Sequence, residues 1–94
     1  MEQEPIIVSS GNVFVDIGFS IEESTLLAMR AELIARLRET ISERSWTQKE
    51  AAQRLGISQS EVAELVRGSW EGFTLETLVM LAKRAGRHVT LAVT

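Results

Sequence analysis

The stretch "WTQKEAAQRLGISQSEVAELVRG", residues 46–68, limits the fold more than any other part of this chain. Thr47 is followed three positions later by Glu50, and Ser58 by Glu61. In such a pair the hydroxyl accepts from the backbone N–H of the Glu, and the carboxylate reaches back to the N–H of the cap residue. Two helices therefore start sharply and in quick succession. Gly56 falls where the first must stop, since glycine enters the left-handed conformation that reverses the chain. Ile57 then turns back toward the core. Ala51 and Ala52 are small enough to admit another helix at close range, while Leu55, Val62 and Leu65 fall at spacings that face a common interior. Two short helices crossing steeply over a shared core make a helix-turn-helix.

The remainder of the chain supplies the packing partners. Ser20 with Glu23 is another capping box, and Leu26, Met29 or Arg30, Leu33, Ile34, Leu37 and Ile41 repeat at helical spacing, which predicts a long first helix to about Glu43. A further helix is expected from a cap at Thr74 to Gly86. Ahead of all of them, "NVFVDIGF" sets Val13, Val15, Ile17 and Phe19 against Asn12, Asp16 and Gly18, with Phe14 the one exception, the pattern of a short half-buried strand. At the other end "HVTLAVT" alternates Val89, Leu91 and Val93 with Thr90, Ala92 and Thr94. One strand cannot stand alone. It pairs either with the same strand of a second chain, in an isologous dimer, or with residues 13–17 of its own chain. The expected fold is mainly α: a helix-turn-helix bundle of four to five helices, with a short N-terminal extended segment and a C-terminal β-strand. An acidic arm, residues 1–19, precedes the domain of residues 20–94.

Composition narrows the function. With 94 residues, 45% of them hydrophobic, the chain suits one domain with a modest core, to which an oligomer interface can add stability. The absence of cysteine excludes disulfides and thiolate metal sites. The apolar run near the start is too short for a signal peptide, and no stretch approaches the roughly 18 apolar residues of a membrane span, so the reading is a soluble, cytoplasmic protein. Net charge is −3 but unevenly placed. Glu2, Glu4 and Asp16 face no base within the first twenty residues; residues 45–70 balance three acids against three bases; Lys83, Arg84 and Arg87 make the end slightly positive. No Ser or Thr has an evident general base, and no glycine loop that would cradle phosphate follows a strand, so neither an enzyme nor a bound cofactor is expected. His88, the single histidine, has no second ligand in sequence and reads as polar surface rather than a metal ligand. Trp46, Trp70 and Phe73 read as packing residues, Trp46 as the staple ahead of the Thr47 cap.

The polar residues of the helix pair point to DNA. Gln48 opens one helix, and Gln59 with Ser60 opens the next, where a surface built only for solubility would carry Glu and Lys. A glutamine at the start of a recognition helix binds adenine bidentately, and one at the start of the preceding helix meets a phosphate.

"TQKEAAQRLGISQSEVAELVRG" followed by "GFTLETLVMLAKRAGRHVTLAV" resembles the Xre-type helix-turn-helix proteins related to phage repressors. Within them it is similar to the antitoxin-type, HigA-like branch encoded beside small toxins of the HigB and RelE kind. The resemblance covers about residues 12–93, with "GNVFVDIGF" similar to the opening of that branch. It implies a phage-repressor-like bundle in which Gln48 and Lys49 lie on phosphate, Gln59, Ser60, Ala63 and Glu64 face bases, and Arg67 and Ser69 lie on phosphate. It also favours a homodimer joined through Val89, Leu91 and Val93, two recognition helices about 34 Å apart reading an inverted repeat. The function implied is a repressor that acts as an antitoxin and autoregulates its own operon. Two alternatives stay open: a stand-alone Xre-type regulator, and an interaction module that only neutralises a partner. One departure from the branch stands out. Where relatives often carry extra Arg or Lys, this chain has Glu64 and Glu71, so few phosphates are neutralised and the electrostatic part of DNA affinity is small. Glu64 is then either a solvated surface residue or an acceptor for a cytosine amino group.

Overall fold

Each helix among the described residues begins at a Ser or Thr whose hydroxyl accepts from the backbone N–H three residues on. The computed structural model describes residues 6–8 and 20–93. Strand β1 is Ile6–Val8; helix α1 is Ile21–Glu43, α2 Gln48–Leu55, α3 Gln59–Arg67 and α4 Leu75–Arg84; strand β2 is Val89–Leu91. All three expected capping boxes form: Ser20 with Glu23, Thr47 with Glu50, Ser58 with Glu61. Thr74 caps α4 more simply, accepting from the Thr77 N–H at 3.1 Å. Such a cap is worth about 1 kcal/mol against alanine, which matters most for α2 and α3, too short to be stable on propensity alone.

Gly56 closes α2 at φ 70°, and its N–H bonds back to the Ala52 carbonyl at 2.8 Å. The Ile57 N–H reaches the same carbonyl at 3.1 Å, so the turn is complete within two residues. Leu55, Val62 and Leu65 are fully buried and Ala51 and Ala52 lie under them, as the spacing predicts. Ile57 is half-buried and packs against this core.

Helix α1 lies along α4 and supplies Leu33, Ile34, Leu37 and Ile41 to the core. Its first turns are phased differently from the sequence reading. Leu26 was expected inside, yet it is 44% exposed while Leu27 is buried. Leu26 and Leu33, like Leu27 and Ile34, stand seven residues apart, so helical phase alone does not separate them; the buried line along α1 runs through Leu27, Ile34 and Ile41. Polar atoms join the buried face as well. Thr40 is fully buried, donates to the Arg36 carbonyl at 2.9 Å and accepts from Arg87 Nη1 at 3.1 Å.

Strand β2 has a parallel neighbour in its own chain, β1, in the register Ile6 with Val89, Ile7 with Thr90 and Val8 with Leu91. Residues 13–17, the intrachain neighbour expected from sequence, lie outside the described residues, as does the whole predicted strand over 13–19. Thus Ile6–Val8, which carries no strand signal long enough to stand out, takes one edge of β2. Ile6 is buried with the helical core.

Candidate nucleic-acid interface

Burying Val62 and Leu65 decides what the rest of α3 does. Each residue turns the helix by about 100°, so positions 59, 60, 63, 64 and 67 are rotated away from the core. Gln59, Ser60 and Arg67 are exposed, and Ala63 and Glu64 are half-buried. Gln48 and Lys49 are exposed on the first turn of α2. Ser69, half-buried just beyond α3, donates its N–H to the Glu64 carbonyl at 3.0 Å, which ties the loop to the last turn. The five α3 positions named from sequence therefore share one face.

The helix pair forms a shallow groove of about 440 Å³ lined by Lys49, Ala52, Gln53, Gly56, Ile57 and Gln59. It brings Lys49 and Gln53 of α2 beside Gln59 of α3. Gln53 was missed in the sequence, although its place one turn after Lys49 carries the signal. Arg38 was missed too: its Nη1 lies 3.4 Å from the point a Cβ on Gly68 would occupy, so a charge from α1 stands at the C-terminal end of α3. Nothing local in sequence links residue 38 to residue 68.

Glu64 behaves differently from its neighbours on α3. Its Oε2 lies 2.8 Å from where a Cβ on Gly72 would be, packed against the turn that leads to α4. Glu50 is fixed in another way: the hydrogen bond from the Thr47 backbone N–H, then that from its side chain, hold the carboxyl below its ordinary range. The guanidinium of Arg36 is raised by Glu39 and Glu32, at 3.0 and 3.2 Å, on the outer side of α1.

Trp46, Trp70 and Phe73 are packing residues. Phe73 is buried, and Trp46 and Trp70 lie against the core. Trp46 also carries Arg44 and Arg54 over its ring, 5.3 and 5.8 Å from the centroid. Arg44 ends α1 and Arg54 lies in the last turn of α2, each held by the ring's negative face.

Of the expected dimer residues, Val89 is half-buried, while Leu91 and Val93 are 67% and 86% exposed. Val89 and Leu91 border an apolar groove of about 550 Å³ with Leu75, Glu76, Val79 and Met80. Val93 lies past the end of β2. Among the described residues no three His, Asp or Glu side chains cluster as metal ligands, and no helix is long and apolar enough to cross a membrane.

A family model described as a helix-turn-helix domain matches residues 13–94. No curated protein and no solved structure matches the chain.

Proposed function

This chain belongs to the family of helix-turn-helix domains, and from that premise we propose that it is a sequence-specific DNA-binding regulator, a cytoplasmic repressor that acts as a homodimer on an inverted repeat. The observation that carries the proposal is the face of α3: Val62 and Leu65 are fully buried while Gln59 and Ser60 stand exposed on the first turn. In the major groove Gln59 pairs with the N6 and N7 of an adenine, and Ser60 and Ala63 face the next bases. Gln48 and Lys49 on one side, and Arg67 and Ser69 on the other, fix the register through phosphates. Gln53 and Arg38 extend those two flanks. The apolar groove beside β2, with Leu91 and Val93 exposed, supports the dimer.

The test is fluorescence anisotropy of a duplex selected by the protein from a random pool, against a scrambled duplex, over a salt series. Preference for the selected duplex that Gln59→Ala relaxes is the expected result. No preference, and no effect of Gln59→Ala, would sink the proposal. That outcome favours a second reading, a module that only holds a protein partner, for which the neutral charge balance of residues 45–70 is the supporting observation.

The proposal extends to an antitoxin of the HigA-like kind that represses its own operon and neutralises a small basic toxin. Its support is the resemblance to that branch and the acidic start of the chain, with Glu2, Glu4 and Asp16 suited to steering toward a basic partner. Because Ile6 is a core residue, the arm is tested by charge rather than by deletion. Glu2→Gln, Glu4→Gln and Asp16→Asn together should weaken binding to the product of a neighbouring toxin gene and leave DNA binding unchanged; equal loss of both would refute this role for the arm.

A further inference from the structure

Glu64 is the one acidic residue on the face of α3 that the proposed function turns toward DNA, and its carboxylate lies against Gly72 in the α3–α4 turn. Oε2 rests 2.8 Å from the place where any side chain at residue 72 would begin. Real Cβ atoms do not approach so closely, so the position of this carboxylate depends on residue 72 being glycine. Nor is it there to meet a cation: no Lys or Arg pairs with Glu64 among the described residues. Backbone geometry does not require the glycine either. Gly72 is not among the glycines with positive φ, which among the described residues are Gly56, Gly68 and Gly86.

We propose that Gly72 is a positioning residue for DNA recognition: by leaving room for the Glu64 carboxylate beside the α3–α4 turn, it keeps a negative charge off the base-reading face of α3. This rests on the DNA-binding reading above. The physical reason is the small margin of an acidic protein. With few phosphates neutralised, one carboxylate swung toward the backbone or toward guanine N7 and O6 removes a large share of the attraction. The atom that a Cβ at 72 would strike is the far end of a flexible side chain, so Glu64 yields rather than the fold. Displaced from the turn, it swings toward Ser60, Ala63 and Arg67 on the same helix face.

The experiment compares wild type, Gly72→Ala, Glu64→Gln and the double variant by anisotropy on the duplex selected by wild type, over a salt series. Gly72→Ala should bind about tenfold more weakly, a like-charge penalty inside the interface. The double variant should recover wild-type affinity, and Glu64→Gln alone should differ from wild type by less than about twofold, because its charge is already out of the groove. Unchanged binding by Gly72→Ala would overturn the proposal. So would a double variant as weak as Gly72→Ala, or a tenfold gain from Glu64→Gln alone. A readout without DNA keeps this separate from the functional reading: in the free protein, nuclear Overhauser contacts between the Glu64 side chain and the Gly72 α-protons should be present in wild type and their counterpart lost in Gly72→Ala. Absence of that contact in wild type refutes the positioning role, whereas its presence in a protein that selects no duplex refutes the DNA-binding reading instead.

Discussion

Arg84 donates from Nη1 to the Leu55 carbonyl at 2.9 Å, so the C-terminus of α2 is closed by a side chain from α4. The same guanidinium stands over Gly56, its Nη1 3.3 Å from where a Cβ would lie. One contact thus fixes both the end of α2 and the turn that aims α3.

Gly56→Ala should destabilise the protein by about 1–2 kcal/mol, from the left-handed backbone at φ 70°. Gly56→Asn should cost less, since asparagine tolerates that region. Arg84→Met keeps the turn and removes the donor, with an expected loss of about 1 kcal/mol. Denaturant unfolding of the three variants checks the order; a Gly56→Asn protein less stable than Gly56→Ala would contradict the backbone explanation.

Glu50 gives the α2 cap a pH dependence. Its folded-state pKa is depressed by the Thr47 hydrogen bonds. A carboxylate of this kind contributes stability that is present above its unfolded pKa and is lost as pH falls through the lower, folded value. The Thr47 amide proton, which donates to Oε1 at 3.0 Å, should move upfield in an acid titration and exchange faster. Glu50→Gln should flatten that response while α2 stays folded at neutral pH. A titration of the Thr47 amide that survives the substitution would assign the effect to another group.

The buried pair of Thr40 and Arg87 should show strong coupling. Arg87 Nη1 has Thr40 Oγ1 as its partner, and its Nε is buried with no partner of its own. Thr40→Val leaves a buried cation short of an acceptor, at a cost of about 2 kcal/mol. Arg87→Met added to Thr40→Val should restore part of that loss. A double-mutant cycle by thermal unfolding measures it, and simple additivity would mean that the two side chains do not depend on each other.

For the proposed dimer, Met80→Lys with Leu91→Lys should shift sedimentation toward monomer without loss of helix, since both side chains are more than half exposed. DNA binding should then weaken sharply, because half-sites read singly lose the gain from linkage. Unaltered sedimentation of a wild-type dimer would move its interface elsewhere.

Much of the architecture was legible because it is written locally. Ser20, Thr47 and Ser58 each stand three residues before a Glu, and each forms the box its spacing promises. Gly56 ends α2, and Leu55, Val62 and Leu65 fall inward, since period and cap together leave α2 and α3 one orientation. What escaped is non-local or depends on rotamers. Leu26 and Leu27 are adjacent, and helical spacing alone does not choose between them. Ile6–Val8 is too short for alternation to be seen, and its partner lies at the far end of the sequence. Gln53 and Arg38 join the candidate interface through the arrangement of three helices, and the direction of Glu64 depends on a missing Cβ eight residues away.

The parallel pairing of β1 with β2 also sets an order of events during synthesis. Among the described residues, a strand translated before the four helices waits for one translated after them, so Ile6 enters the core only when Val89 has left the ribosome. Until then the nascent helices must hold their shape with that corner of the interior open to water. Closing so long a loop is slow compared with forming local helices. The capping boxes act at that stage, because each is complete within four residues of chain and none depends on β2.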